Sequence, residues 1–160
     1  IDNVVGSYRL PSYEDRPSLP YVEALYREVH RWRPVLPNGV PHATVSDDVY
    51  KGYFIPKGNS STAITRNEDT YPEPDSFNPE RFLNLDGTLT DDTVSYVFGF
   101  GRRTCPGEYM ADKVVWLMIV SVLATFNISK ARDDETGNEI DVDPDAYTDG
   151  TSRCDINNEN

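Results

Sequence analysis

Apolar and polar positions follow two rhythms along this chain. From Leu19 to Trp32 the apolar residues Val22, Leu25, Val29 and Trp32 recur at helical spacing and predict one amphipathic helix. Ser18 is the expected cap, Pro20 suits the first turn, and Pro34 marks the end. A shorter period follows. His42–Val45 and Val49–Ile55 predict short strands around a turn at Asp47-Asp48. Pro56-Lys57-Gly58 is a further turn signal, and Asn67 to Tyr71 fits a single helical turn. Pro72, Pro74 and Pro79 then punctuate an irregular stretch holding Phe77, Arg81 and Phe82, and Asp86-Gly87 predicts a surface turn.

The longest pattern runs from Glu108 to Phe126. Ala111, Val114, Val115, Met118, Val122 and Phe126 form much of its apolar surface, while Trp116, Leu117, Ile119 and Leu123 extend that surface around the helix. A helix apolar on most sides needs protein around it. This chain offers few partners, so the expectation is that further protein covers it. The apolar run Val114–Phe126 is shorter than the roughly 20 residues that a membrane span requires. The pattern overall predicts a mainly α fold with small β elements.

Composition narrows this picture. The chain has 160 residues, 38% hydrophobic and 11% aromatic, enough for one modest domain. A formal net charge of -12 argues against nonspecific nucleic-acid binding, which needs a basic surface. Much of the acid lies in the polar stretch from Arg132 to Asn160, expected to be weakly structured. The two cysteines, Cys105 and Cys154, have a spacing that demands no disulfide. No signal peptide or membrane anchor is legible.

The chemistry concentrates in Phe98-Gly-Phe-Gly-Arg-Arg-Thr-Cys-Pro-Gly107. Gly99, Gly101 and Gly107 allow a tight turn and a close approach to a flat ligand. Cys105 stands just before the long helix, whose unpaired N–H groups favour an anion such as a thiolate. Pro106 fits a helix opening, and Arg102 and Arg103 are suited to carboxylates. Haem has an iron that accepts thiolate and two propionates on one edge, so one turn could serve both. The competing explanations are a free cysteine beside a glycine-rich surface turn, a zinc site, a dinucleotide loop and a thiol nucleophile. Zinc lacks a compact array, since only His30 and His42 are available. Gly99-Phe-Gly101 lacks the spacing of a dinucleotide loop, and no histidine is placed by sequence as a base for the thiol.

Glu28 and Arg31, three residues apart, share a helix face. Alone they fit an ordinary surface pair. Joined by Arg81 from the proline-punctuated segment, they would form a buried network that supports the site without transferring protons. His42 fits either a half-buried strand histidine or a contact to a ligand carboxylate. Met110 and Met118 fit core packing.

These residues carry a family resemblance. Phe98-x-x-Gly101-x-Arg103-x-Cys105-x-Gly107 is similar to the haem-binding signature of cytochromes P450, the fungal monooxygenases in particular. Glu28-Val-His-Arg31 resembles the K-helix pair of that family, and Phe77-Asn-Pro-Glu-Arg81-Phe82 the segment that completes its charged network. The resemblance implies an incomplete P450 fold with K-helix, meander, Cys-ligand loop and L-helix regions. It implies a C-terminal portion of the domain over residues 1–145, then a polar tail with a truncated hairpin region over 146–160. The N-terminal half of the fold, with the family's proton-delivery element, would be missing.

By the same resemblance, Cys105 would be the axial ligand of haem b iron. Arg103 and His42 would hold propionates, and Phe98, Gly101 and Gly107 would complete the cofactor loop. Glu28, Arg31 and Arg81 would form the structural network, while Val35, Leu36 and Pro37 would face substrate. The implied activity is monooxygenation of a small organic or lipophilic substrate, with NADPH-derived electrons delivered by a flavoprotein reductase. A full-length eukaryotic relative would sit at the endoplasmic reticulum membrane. The isolated chain is expected to be inactive. The alternatives are a noncatalytic structural or interaction domain and another haem-thiolate enzyme such as a peroxygenase.

Overall fold

The structure, a computed structural model, describes residues 1–36, 40, 45–57 and 64–141. Three α-helices lie in this portion: α1 (Asp2–Val5), α2 (Pro20–Trp32) and α3 (Glu108–Thr125). One antiparallel hairpin joins β1 (Asp48–Tyr50) to β2 (Tyr53–Ile55). Short 3-10 segments at Tyr13–Ser18, Ile64–Arg66, Pro79–Phe82, Ser95–Phe98 and Gly101–Arg103 shape the connections.

α2 is the organising element, and it buries more than the expected apolar stripe. Val22 and Tyr26 enter one core with Val5, Leu19, Trp116 and Val120. Ala24 enters a second with Tyr71, Phe82 and Val94. Of the predicted face, Leu25, Val29 and Trp32 are only half-buried, whereas Glu23, Arg27, Glu28 and Arg31 are buried. Charged side chains can occupy such positions when each finds a partner, so spacing of apolar residues alone misplaces the buried face. Ser18 does not cap α2. It closes the preceding 3-10 turn, and Leu19 takes the cap position without a side-chain bond.

The hairpin also differs from expectation. Asp48 lies within β1, and the chain reverses at Lys51-Gly52, where φ is 50° and 85°. Two successive positive φ values give the twist that joins a tight two-residue hairpin. The single segment Val49–Ile55 therefore folds back on itself. His42, Pro37 and Gly58 lie outside the described residues. Asn67 to Tyr71 forms the predicted turn, closed by Tyr71 N–H to the Asn67 carbonyl at 2.8 Å. The 86–87 turn is present too, with Gly87 at φ 81°.

α3 is as long as expected, but its burial is one-sided. Trp116 and Val120 are fully buried, while Tyr109, Met110, Val114, Met118, Val122 and Leu123 are exposed. Beyond α3, Arg132 bridges Glu139 across a small turn, so the acidic stretch begins with local order.

Candidate functional site

Cys105 ends a loop whose shape is set by two glycines. Gly99 and Gly101 have φ of 91° and 55°, conformations that a side chain strains. The Gly101–Arg103 turn follows, closed by Thr104 N–H to the Gly101 carbonyl at 3.3 Å and by the Thr104 hydroxyl at 3.0 Å. Cys105 N–H then donates to the Phe98 carbonyl at 2.8 Å and ties the loop's exit to its entrance.

The thiol is free and exposed. Gly107 does not serve the backbone, because its φ is -88°, open to other residues. A Cβ there would stand 3.7 Å from Cys105 Sγ. Glycine at 107 thus clears one side of the sulfur rather than enabling a turn. Pro106 precedes the helix, whose cap is Gly107. Arg102 and Arg103 are exposed and carry no ion pair among the described residues. Phe98 is half-buried, with its ring 5.7 Å from that of His30.

The donor set limits what this loop can hold. No group of three or more His, Cys, Asp or Glu side chains is arranged for a metal ion among the described residues. One accessible thiol would suit an iron whose other ligands are supplied by a flat macrocycle. The flank at Gly107 and the exposed guanidinium groups of Arg102 and Arg103, without ion pairs among the described residues, fit the face and the acidic rim of such a group.

Glu28, Arg31 and Arg81 come together, and they do so out of solvent. Glu28 and Arg31 have no exposed surface, so they are not a surface pair. Arg31 Nε and Nη2 donate to Glu28 at 2.6 and 2.8 Å. Its other N–H bonds reach the carbonyls of Thr65, Pro74 and Ser76. Glu28 also accepts Asn78 N–H at 2.7 Å and Arg81 Nε at 3.3 Å. Arg81 in turn bonds the Pro72, Glu73 and Ser76 carbonyls. The network thus ties α2 to the irregular 65–81 stretch by hydrogen bonds. Val35 and Leu36 are exposed just beyond α2.

A second network has no counterpart in the sequence reading. All five N–H donors of Arg16 are engaged: two bonds go to Glu23, two to Asp112 and one to the Tyr13 hydroxyl. Its guanidinium carbon lies 5.0–5.7 Å from the ring centres of Tyr13, Tyr26 and Trp116. Asp112 also accepts the Tyr26 hydroxyl at 2.9 Å. Glu23 continues to Arg27, which reaches the Thr90 and Asp92 carbonyls. Burial works against ionisation of Asp112, but the bonds from Arg16 and Tyr26 outweigh it and hold the carboxyl below its ordinary range. Burial, then the Asp112 bond, pushes the Tyr26 hydroxyl up. Burial pushes His30 down, opposed by the charges of Asp112 and Glu23. The available sequence signal was one acid, Asp112, inside the apolar pattern of α3.

The model of the Cytochrome P450 family matches residues 1–142. The chain belongs to the cytochrome P450 family. It is 46% identical over 156 residues to cytochrome P450 monooxygenase 176 of Postia placenta, covering 94% of this chain and 30% of that protein. Cytochrome P450 monooxygenase claR of Ampulloclitocybe clavipes is 47% identical over 146 residues, covering 88% of this chain and 27% of that protein. Cytochrome P450 monooxygenase ple1 of Rhodocybe pseudopiperita is 46% identical over 148 residues, covering 88% and 28%. The chain therefore spans under a third of the length of these curated relatives.

Proposed function

We propose that this chain is the cysteine-bearing, C-terminal portion of a haem-dependent monooxygenase. In this reading α2 is the K helix, the 65–81 stretch leads through the meander, and residues 98–107 form the Cys-ligand loop. α3 is then the L helix, and residues 1–145 are the domain portion. The observation that carries the proposal is the exposed Cys105 thiol, flanked by an open glycine in a loop tied back to Phe98.

Cys105 would supply the thiolate ligand of haem b. Arg103 would hold a propionate, with His42 as a second candidate. Bound haem supplies oxygen activation for insertion into a small organic or lipophilic substrate. Phe98 holds the loop entrance against α2 through its ring contact with His30. Gly107 leaves the sulfur accessible, and Gly101 supplies the left-handed backbone, φ 55°, that the turn requires. The Glu28–Arg31–Arg81 network bears no proton-transfer role; it fixes α2 against the 65–81 stretch.

Activity belongs in this proposal to the whole protein, with substrate near Val35, Leu36 and Pro37. NADPH-derived electrons would arrive through a flavoprotein reductase. Attachment at the endoplasmic reticulum is part of the same proposal. Among the described residues no helix is long and apolar enough to cross a membrane.

Loading the chain with haem, reducing it and adding carbon monoxide tests the reading. A thiolate-type Soret band that disappears in Cys105→Ala and survives in Cys154→Ala is the expected result. A folded, haem-loaded chain whose band ignores Cys105 would refute it.

A further inference from the structure

The Arg16 network and the cysteine loop meet through α2. Asp112 lies about one helical turn into α3, the helix that the cysteine loop enters. Asp112 accepts the Tyr26 hydroxyl at 2.9 Å. Tyr26 and His30 are four residues apart on α2, with ring centres 4.6 Å apart. His30 faces the Phe98 ring at 5.7 Å, and the Phe98 carbonyl accepts Cys105 N–H at 2.8 Å. The circuit begins and ends at the cysteine.

This closure has a mechanical meaning. Phe98 is the loop's entrance and α3 its exit. Between them stand Gly99 and Gly101, positions with little intrinsic stiffness. The path of such a loop depends on how its ends are held. Tyr26 and His30, on one face of one helix, brace both ends. Arg16 then fixes Asp112 through paired N–H bonds, which set direction as well as distance. The 3-10 turn at Tyr13–Ser18 thereby clamps α3 against α2.

We propose that Tyr26, His30 and the Arg16–Asp112 clamp are positioning residues for Cys105, holding both ends of its loop so that the sulfur keeps one place. The functional meaning rests on the haem-thiolate reading; the bracing itself does not. In this role the group acts through the ends of the cysteine loop.

Two variants test it in the full chain. Asp112→Asn keeps side-chain volume and removes the charge, and Tyr26→Phe removes a single oxygen. In the haem-free protein, exchange of the Cys105 amide is measured against the β1–β2 hairpin amides. Loss of a charge-assisted bond predicts exchange at least about tenfold faster at Cys105 in Asp112→Asn, with the hairpin amides unchanged. Tyr26→Phe is expected to change in the same direction by a smaller factor. In the haem-loaded protein, the thiolate-type share of the carbon monoxide complex should fall at constant haem content.

A lower melting temperature with unchanged Cys105 exchange would overturn the proposal, since the cluster would then be structural only. If Asp112→Asn fails to fold, Tyr26→Phe decides alone, because it keeps the ring packing. Absence of a thiolate-type band in the parent chain would refute the haem reading, while the exchange measurement would still decide the bracing.

Discussion

Arg31 is a charge with no exposed surface. Its five N–H bonds go to Glu28 and three backbone carbonyls, so burial leaves no donor unmatched. Arg31→Ala would leave the fully buried Glu28 carboxylate with only Asn78 N–H and the longer Arg81 contact, at a cost of about 3 kcal/mol in urea denaturation. Arg31→Lys should recover little of this, because an ammonium lacks the planar fork. His30 gives a different prediction. Burial lowers its folded-state pKa below the unfolded value of about 6.5. Above that pH both states are neutral and the group contributes no pH dependence. As pH falls, the unfolded chain takes up the proton first, so stability declines. His30→Phe should flatten the stability profile just below about pH 6.5. Asp112 adds its own loss in stronger acid, because its depressed folded value makes its contribution vanish as pH falls through that value. Denaturant midpoints measured across pH in both proteins check this.

α3 shows what an element's pattern does and does not reveal. Its apolar residues cover most of the helix surface, and that feature predicts its existence and length well. The pattern carries no information on which side this chain itself covers. Trp116 is fully buried while Met118, two residues on, is 62% exposed. Trp116→Ala should therefore cost about 3–5 kcal/mol, whereas Met118→Lys should stay within about 0.5 kcal/mol by the same denaturation measurement. In α2 the buried face was misplaced for a related reason: periodicity counts apolar residues, and here paired charges fill buried positions. The hairpin was legible as strand-forming sequence, but Asp47-Asp48 and Lys51-Gly52 are both acceptable turn signals. Positive φ at both central residues needs Gly far more than a second Asp, and that conformational demand separates the two.

At the scale of the whole molecule, the cysteine loop was legible because one short segment contains its glycines, arginines and thiol. The Glu28–Arg31 spacing was legible too, although the burial that gives it meaning comes from carbonyls up to 45 residues away. The Arg16–Asp112 clamp was not legible. Its members lie 96 residues apart and stand in no recurrent motif, so only the folded chain brings them together. Both networks converge on α2, which places the support of the 65–81 stretch and the bracing of the cysteine loop on one helix. Iron K-edge X-ray absorption on the haem-loaded chain tests the central claim most directly. The account predicts one sulfur in the iron's first shell, lost in Cys105→Ala and retained in Cys154→Ala. A first shell without sulfur in the folded parent chain, or one unchanged by Cys105→Ala, would contradict it.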